Sequence, residues 1–231
     1  MKKGRSTNIE KGGPIISRKR EKQGEKGSKK NVEKGENKEL VAWDAPSGIF
    51  AIDCDASVKE KIGGSAFVIR DNLGYFVLAG VVARWRVSVV YHEMDAIKSG
   101  LYHGGRIGLN DDVVVRSDSR WAIDSILGQA NPPPEVKRLL ASVRRLQRSF
   151  VGRLSFKHVQ REANRAADQL ATSLTTELIE DLPKKAKNEP KKYPSRLPFE
   201  VIYQQPIDLP IQAFKILRED RSGKKIPRGE K

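Results

Sequence analysis

The chain has 231 residues, a formal net charge of +15 and a single cysteine. That length allows one sizeable domain with flanking segments, or two small domains. One cysteine excludes an intramolecular disulfide framework. No stretch approaches the roughly 18 consecutive apolar residues that a membrane span needs, so no membrane protein is predicted.

The ends of the chain carry most of the positive charge. Residues 1–39 contribute about +7 and residues 181–231 about +6, which leaves about +2 for the residues between them. We therefore predict a disordered basic tail over residues 1–41, a folded domain over residues 42–180, and a basic, proline-containing extension over residues 181–231. Cationic tails bind phosphate without sequence preference, so the charge indicates nucleic acid as the partner; the sequence identifies no protein partner.

The compartment is predicted to be the nucleus or the cytoplasm. Cys54 lies in an apolar run and is expected to be a buried thiol, which suits a reducing environment. The basic run at residues 18–20 could serve as a nuclear address. No apolar stretch follows the N-terminal lysines, so no secretory signal is predicted and no membrane is expected among the partners.

In chain order the predicted elements are three strands, a helix, a strand, two helices, a strand and a helix. The segments with strand character are 48–55, 65–70, 75–82, 113–115 and 154–159. The segments with helical periodicity are 89–102, 121–127, 135–150 and 163–178. A short Asp/Asn/Gly turn at 71–74 makes the second and third strands antiparallel. This order predicts an α/β fold with one five-stranded mixed sheet, its first three strands antiparallel, and helices on both faces.

Four carboxylates occupy positions from which they could converge. Asp55 ends the first strand, and Asp118 directly follows the fourth. If those two strands are parallel neighbours, both residues lie at one edge of the sheet. Glu93, in the first turn of the first helix, and Asp168, on the last helix, can reach the same edge. Hard oxygen ligands in such a cluster predict a divalent metal site. Taken singly, each residue could instead cap a helix or form a turn.

The run His158 to Asp168, with the sequence HVQREANRAAD, is the most specific motif in the chain. Four further segments accompany it: Asp55-Ala56-Ser57, Gly63-Gly64 with Val68 to Asp71, Glu93 with Gly100-Leu101, and Ser117-Asp118-Ser119. With these motifs, residues 43–175 resemble the ribonuclease H family, type 1, in the branch found in plant retroelement-like proteins. The resemblance implies the ribonuclease H-like fold. It also favours Asp55 over Asp53 as the first ligand, because the family's ligand directly precedes the small pair 56–57.

The resemblance implies hydrolysis of the RNA strand of an RNA·DNA hybrid by two magnesium ions, for which manganese could substitute. One ion would activate the attacking water and the other would stabilise the leaving 3′ oxygen. The implied metal ligands are Asp55, Glu93, Asp118 and Asp168. His158 would assist proton transfer or product release, and Ser88 would contact a substrate phosphate.

The third predicted helix carries a row of cations, at Lys137, Arg138, Arg144, Arg145 and Arg148. Arg144 and Arg148 are expected to follow a phosphate backbone, although a solvated face would show the same pattern. Two other functions stay open at this point. One is a catalytically weak or inactive nucleic-acid-binding protein of the same fold, derived from a retroelement. The other is a nuclease of this fold that acts on another substrate.

Overall fold

The computed structural model describes residues 39–44, 46, 48–181 and 197–229. Within those residues the strands β1 to β8 are Leu40–Val41, Phe50–Lys59, Ile62–Arg70, Phe76–Trp85, Val113–Ser117, Leu154–His158, Phe199–Tyr203 and Ile226–Pro227. The α-helices α1 to α5 are Val89–Arg106, Arg120–Ile126, Lys137–Ser149, Arg165–Asp181 and Ile211–Arg221. None of the helices in the described part of the chain combines the length and apolar character that a membrane crossing requires.

The main sheet has the strand order β6-β5-β2-β3-β4-β7. Strands β2, β3 and β4 are antiparallel neighbours, whereas β5 pairs parallel with both β2 and β6. Strand β7 adds antiparallel to β4, and β1 pairs with β8 in a separate two-stranded ribbon. The predicted mixed sheet, with its first three strands antiparallel, is confirmed.

Helices cover both faces of the main sheet, as predicted. On one face, α1, α2 and α3 share a buried cluster with the strands, which includes Ile52, Phe67, Met94, Ile97, Ile123, Leu140 and Val143. On the other face, α4 and α5 share a second cluster, which includes Ala66, Val68, Val81, Leu170, Ala213 and Leu217. Neighbouring residues of β3 therefore alternate between the two clusters, because successive side chains of a strand point to opposite faces.

The predicted strand count was wrong by one. Strand β7, Phe199–Tyr203, makes a sixth strand, and residues 197–229 form that strand, α5 and β8, within the segment 181–231 for which we predicted only a basic, proline-containing extension. The apolar residues of β7 stand out in the sequence, but their partner strand β4 lies far back in the chain, with Ala79 opposite Tyr203. Local patterns do not show such pairings. The predicted disordered tail, residues 1–41, was wrong at its end, because Leu40–Val41 form β1 and pair with β8. Residues 1–38, including the basic run at 18–20, lie outside the described residues.

Two element boundaries differ from the prediction and move site residues. Strand β2 continues to Lys59 because it pairs with β3 as far as Ile62, across a tight turn in which Glu60 has φ +48°. Asp55 is therefore inside a strand, just past the point where the parallel pairing with β5 ends at Cys54. Helix α1 begins at Val89, so Glu93 is in its second turn and not in its first.

A buried ion cluster links Trp43, which precedes β2, and Asp220 of α5 to the central strands of the sheet. The Asp53 carboxylate accepts hydrogen bonds from Arg70 (2.6 and 3.0 Å), from Arg116 (2.6 Å) and from the Trp43 indole (3.0 Å). Arg70 also donates to Asp220 of α5, at 2.9 Å. Burial opposes ionisation of Asp53, but the charges of Arg116 and Arg70 and these hydrogen bonds outweigh it and lower its pKa. The carboxylate of Asp53 thus has a structural role: it binds two buried arginines and the Trp43 indole.

We expect Gly63→Ala to destabilise the protein by about 1–3 kcal/mol, because the added methyl group would overlap the buried His92 ring. Gly105→Ala is the matched control: a Cβ there has open space within helix α1, so the free energy of unfolding should stay equal or rise by about 0.5–1 kcal/mol. Urea unfolding of both variants measures the difference. Equal midpoints for the two variants would contradict the packing argument.

Candidate active site

Three of the four predicted carboxylates meet at the edge where β2 and β5 diverge. Asp55, Glu93 and Asp118 each offer an oxygen that lies within 4.8 Å of the other two. Asp55 lies in β2, Glu93 lies in α1, and Asp118 directly follows the last residue of β5. The parallel pairing of β2 with β5 places Cys54 opposite Ser117, so the next residue of each strand points into the same space.

The cluster is buried and lacks neutralising partners for some of its oxygens. Asp55 is 3% exposed and Glu93 is 7% exposed. One Asp55 oxygen accepts the Ala56 amide at 2.7 Å, but Asp55 Oδ2 and Glu93 Oε2 have no hydrogen-bond partner among the described residues. Such unsatisfied buried oxygens are costly unless a cation or a proton joins them. The donor set, all carboxylate oxygens, therefore fits a hard divalent cation.

Burial is the main cause that raises the pKa values of these carboxyl groups. The pKa of Asp55 lies well above its usual value because of burial and then the charges of Asp118 and Asp168. The pKa of Glu93 is raised well above normal by burial and then by Asp55 and Asp118. Burial also raises the pKa of Asp118, where the charge of Arg161 works in the opposite direction. Without a cation, the cluster therefore tends to retain protons at pH values where free carboxylates are ionised.

Asp168 is near the cluster but is held by another partner. It lies in the first turn of α4, and its Oδ1 accepts a hydrogen bond from Arg161 Nη2 at 3.0 Å. Its side chain is 32% exposed, and its oxygens are outside the group of three that converge. The charge of Asp168 still raises the pKa of Asp55, so Asp168 acts electrostatically on the cluster.

Sequence reasoning missed two residues of the connecting turn. Arg161 binds Asp168 and also acts electrostatically on the three converging carboxylates. Asn164 is fully buried, and its Nδ2 donates to the Cys54 carbonyl at 2.9 Å, which joins the turn to β2 beside Asp55. Both residues belong to the 158–168 motif. The sequence did hold a signal for them: Arg161 and Asn164 lie in the same motif as Asp168, one of the carboxylates that were expected to converge.

His158 ends β6 beside Asp118. Its Nδ1 lies 3.0 Å from Arg120 Nη2, and its Nε2 lies 3.1 Å from the Asp118 carbonyl oxygen. Arginine can only donate and a carbonyl can only accept, so this network assigns the proton to Nε2. His158 thereby connects the end of β6 to the backbone of a cluster residue.

The predicted nucleic-acid contacts lie on α1 and α3. Ser88 is the N-cap of α1; its Oγ accepts from the Tyr91 amide at 3.2 Å and donates to Glu135 Oε1 at 3.3 Å. Arg144 and Arg148 line a shallow surface groove together with Pro132, Lys137, Leu140 and Ala141. Their roles as phosphate contacts stay a prediction.

His92, next to Glu93 in α1, should titrate far below an ordinary histidine. Its ring is fully buried, with Nε2 accepting from the Val87 amide at 3.4 Å and Nδ1 lying 3.3 Å from Ser65 Oγ. Burial lowers its pKa to about 4. Since the unfolded chain takes up this proton near pH 6.5, this group makes the folded state lose stability as the pH falls from about 6.5 to about 4.

An NMR titration measures this pKa directly. The His92 ring resonance, assigned by its loss in His92→Gln, should change with a midpoint near pH 4. A midpoint near 6.5 would show that water reaches the ring and would contradict its burial.

Comparisons with known proteins agree with this architecture. The profile of a family described as reverse transcriptase-like matches residues 53–174. RNase H1 from the archaeon Halobacterium salinarum is 24% identical, with a TM-score of 0.53 over 56% of this chain and 99% of that one. LC11-RNase H1, solved in complex with an RNA/DNA hybrid, is 22% identical, with a TM-score of 0.51 over 54% of this chain and 94% of that one.

The N-terminal RNase H domain of a Mycobacterium tuberculosis protein is 18% identical, with a TM-score of 0.53 over 57% of this chain and 96% of that one. At these identities the likenesses establish the ribonuclease H-like fold. No curated protein matches the sequence. The matched profile spans more than half of the chain, including Asp55, Glu93, Asp118 and the 158–168 motif. The chain therefore belongs to the reverse transcriptase-like family and has a ribonuclease H-like fold.

Proposed function

We propose that this protein is a metal-dependent nuclease that hydrolyses the RNA strand of an RNA·DNA hybrid. The observation that carries the proposal is the convergence of Asp55, Glu93 and Asp118 within 4.8 Å, buried and with two unpartnered oxygens, on a ribonuclease H-like fold. The presence of an RNA/DNA hybrid in the LC11-RNase H1 structure supports this choice of substrate.

The metal in this proposal is magnesium, held as two ions, with manganese as a substitute. Magnesium and manganese both bind carboxylate oxygens, which are the ligands present in the cluster. Asp55, Glu93 and Asp118 would hold the metal, and Asp168 would join them on release from Arg161. When bound, divalent ions supply positive charge that polarises the phosphate and stabilises the developing negative charge.

The residues around the cluster then have separate tasks. Arg120 is exposed and can turn from His158 towards a phosphate, which leaves His158 Nδ1 free to take up a proton while Nε2 stays on the Asp118 carbonyl. Ser88, Arg144 and Arg148 would contact the phosphate backbone. Contacts of this kind position the duplex without reading its sequence, so sequence preference should be slight and binding should weaken with salt.

One observation favours the alternative of a nucleic-acid-binding protein with little or no turnover. In this structure the guanidinium of Arg161 engages the fourth carboxylate, Asp168, which is the group the metal would need. If that ion pair persists on the substrate, the protein would bind nucleic acid but hydrolyse it slowly.

A cleavage assay decides between these functions. The full chain is incubated with a hybrid labelled on either strand, with duplex DNA and with single-stranded RNA, in magnesium or in EDTA. The proposal predicts shortening of the RNA strand of the hybrid, in magnesium only, and loss of cleavage in Asp118→Asn. Binding of similar strength in all conditions without cleavage would support the alternative, and cleavage of another substrate in preference to the hybrid would indicate a different nuclease.

Metal binding is expected to release protons from the carboxylate cluster. Because the pKa values of Asp55 and Glu93 lie well above normal, part of the cluster is protonated until a cation displaces the protons. The apparent affinity for magnesium should therefore keep rising with pH above the range in which an ordinary carboxyl group titrates. Calorimetric titrations in two buffers with different ionisation enthalpies measure the released protons, and identical heats in both buffers would contradict the expectation.

A further inference from the structure

The two ends of the folded unit lie outside the family-matched residues 53–174. They meet beside the 3₁₀ turn Arg161–Ala163. Strand β1 pairs antiparallel with β8, with Leu40 opposite Pro227 and Val41 opposite Ile226. Just beyond the ribbon, the Arg228 amide donates to the Glu39 carbonyl at 2.8 Å, and the two side chains form an ion pair at 2.8 Å. We call β1, β8 and the residues Glu39, Arg228 and Gly229 the terminal clasp.

The clasp is built on a fixed base. Helix α5 contributes Asp220, whose Oδ2 accepts from the buried Arg70 and whose Oδ1 accepts from Arg165 of α4, both at 2.9 Å. After α5 a turn with Gly223 at φ +74° reverses the chain, and the Lys224 amide donates to the Glu219 carbonyl at 3.1 Å. These contacts hold α5, because a shift of the helix would separate Asp220 from the buried Arg70 and leave both charges without this partner.

The clasp touches the active-site turn at one point. The Gly229 amide donates to Glu162 Oε1 at 2.7 Å. Glu162 lies in the 3₁₀ turn Arg161–Ala163, between the arginine that binds Asp168 and Asn164, which binds the Cys54 carbonyl. The contact therefore reaches the segment that joins the fourth carboxylate to the strand that carries Asp55.

We propose that the terminal clasp positions the active-site turn, residues 161–164, and that Glu162 is the positioning residue through which it acts. The turn has few bonds of its own: the Ala163 amide donates to Gln160 and the Asn164 amide to Arg161, each at 2.9 Å. A short 3₁₀ turn of this kind opens easily, so an outside tether changes how often it is closed. An exposed charge-assisted hydrogen bond should lower the opening constant about fivefold.

Amide hydrogen exchange in the 231-residue chain without metal tests the clasp directly. The exchange rates of the Ala163 and Asn164 amides report opening of the turn. In Glu162→Ala, and in a chain that ends at residue 225, these amides should exchange about fivefold faster than in the unaltered protein. Glu162→Gln should restore slow exchange because its carbonyl oxygen still accepts from the Gly229 amide. Glu177→Ala, an exposed carboxylate on α4, is the matched control and should leave both rates unchanged.

Combining Glu162→Ala with the truncation should produce no further acceleration, because both changes remove the same contact. Additive effects, or unchanged exchange in either variant, would overturn the proposal. The consequence for catalysis rests on the proposed function: kcat for hybrid cleavage in Glu162→Ala should fall in proportion to the lost population of the closed turn, by at most about fivefold, while KM stays within about twofold, because the proposal gives Glu162 no contact with the substrate. If the unaltered protein cleaves no hybrid but the exchange results hold, the clasp stands and the proposed nuclease function fails.

Discussion

Asp55→Asn is expected to abolish hybrid cleavage and to make the metal-free protein more stable. The ionised Asp55 carboxylate is disfavoured by burial and by the charges of Asp118 and Asp168, which raises its pKa. Its Oδ2 has no partner among the described residues. Asparagine keeps an oxygen for the Ala56 amide and can donate its NH₂ group to a neighbouring carboxylate. Removal of charge repulsion at such a site commonly stabilises a protein by about 1–2 kcal/mol.

The sign of the pH dependence follows from the raised pKa values. Groups whose folded-state pKa lies above the unfolded value contribute stability that is complete at pH values below the unfolded pKa. That contribution is lost as the pH rises through the folded pKa. The stability difference between Asp55→Asn and the unaltered protein should therefore be largest at pH values above the raised pKa of Asp55 and should shrink as the pH falls towards about 4, the ordinary range of an aspartate.

The loss of cleavage should be at least about a thousandfold, because a metal ion contributes several kcal/mol of charge stabilisation in the transition state. Magnesium should also cease to raise the melting temperature of the variant. Thermal unfolding with and without magnesium, beside the cleavage assay, measures both effects. Asp111→Asn removes an exposed carboxylate away from the cluster and serves as the control. Unaltered cleavage by Asp55→Asn would show that Asp55 is not required for the metal site.

Asp220→Ala is expected to destabilise the protein by about 3–5 kcal/mol. Asp220 is 4% exposed and accepts hydrogen bonds from both Arg70 and Arg165. Its removal leaves Asp53 as the one carboxylate among the described residues that still binds the buried Arg70, and Asp53 is already shared with Arg116. A buried charge that loses its partner costs about this much. Domains of ordinary stability have only about 5–15 kcal/mol in total, so the change should be large.

Urea unfolding, followed by the fluorescence of tryptophan, measures this cost. Asp208→Asn removes an exposed carboxylate from the same extension and should change the free energy of unfolding by no more than about 0.5 kcal/mol. A chain that ends at residue 180 also lacks Asp220, together with β7 and α5, and should be at least as unstable as Asp220→Ala. An unchanged unfolding midpoint for that shortened chain would show that the extension is a separate appendage.

Much of the architecture could be predicted because its signals are local. The alternation of β2 and β3, the turn at 71–74 and the helical stripe of α1 each arise from residues close together in the chain. The 158–168 motif likewise lies in one window, and the family profile that matches residues 53–174 agrees with that interpretation. Parallel pairing of β2 with β5 then follows from chain connectivity, since a helical crossover joins them.

Contacts between distant residues were decided only by the tertiary structure. Asp53 and Asp55 are both buried aspartates two positions apart. The first is neutralised by Arg70 and by Arg116, which is 63 positions away, whereas the second faces other carboxylates. Asp220 reaches Arg70 across 150 positions. Nothing in the residues around Asp53 shows that two arginines will meet it, because that meeting depends on three strands and a helix packed together.

The sequence by itself determined the order of the elements between residues 48 and 178, the fold class and the set of four carboxylates from which a metal site could be built. The tertiary structure decided that three of them converge, that Arg161 holds the fourth, and that residues 197–229 complete the sheet and reach the active-site turn. The physical reason is the separation along the chain over which each kind of interaction acts. Periodicity and turn chemistry act between neighbours in the chain, whereas charge, burial and hydrogen bonding in a site depend on which surfaces the folded chain brings within a few ångströms of one another.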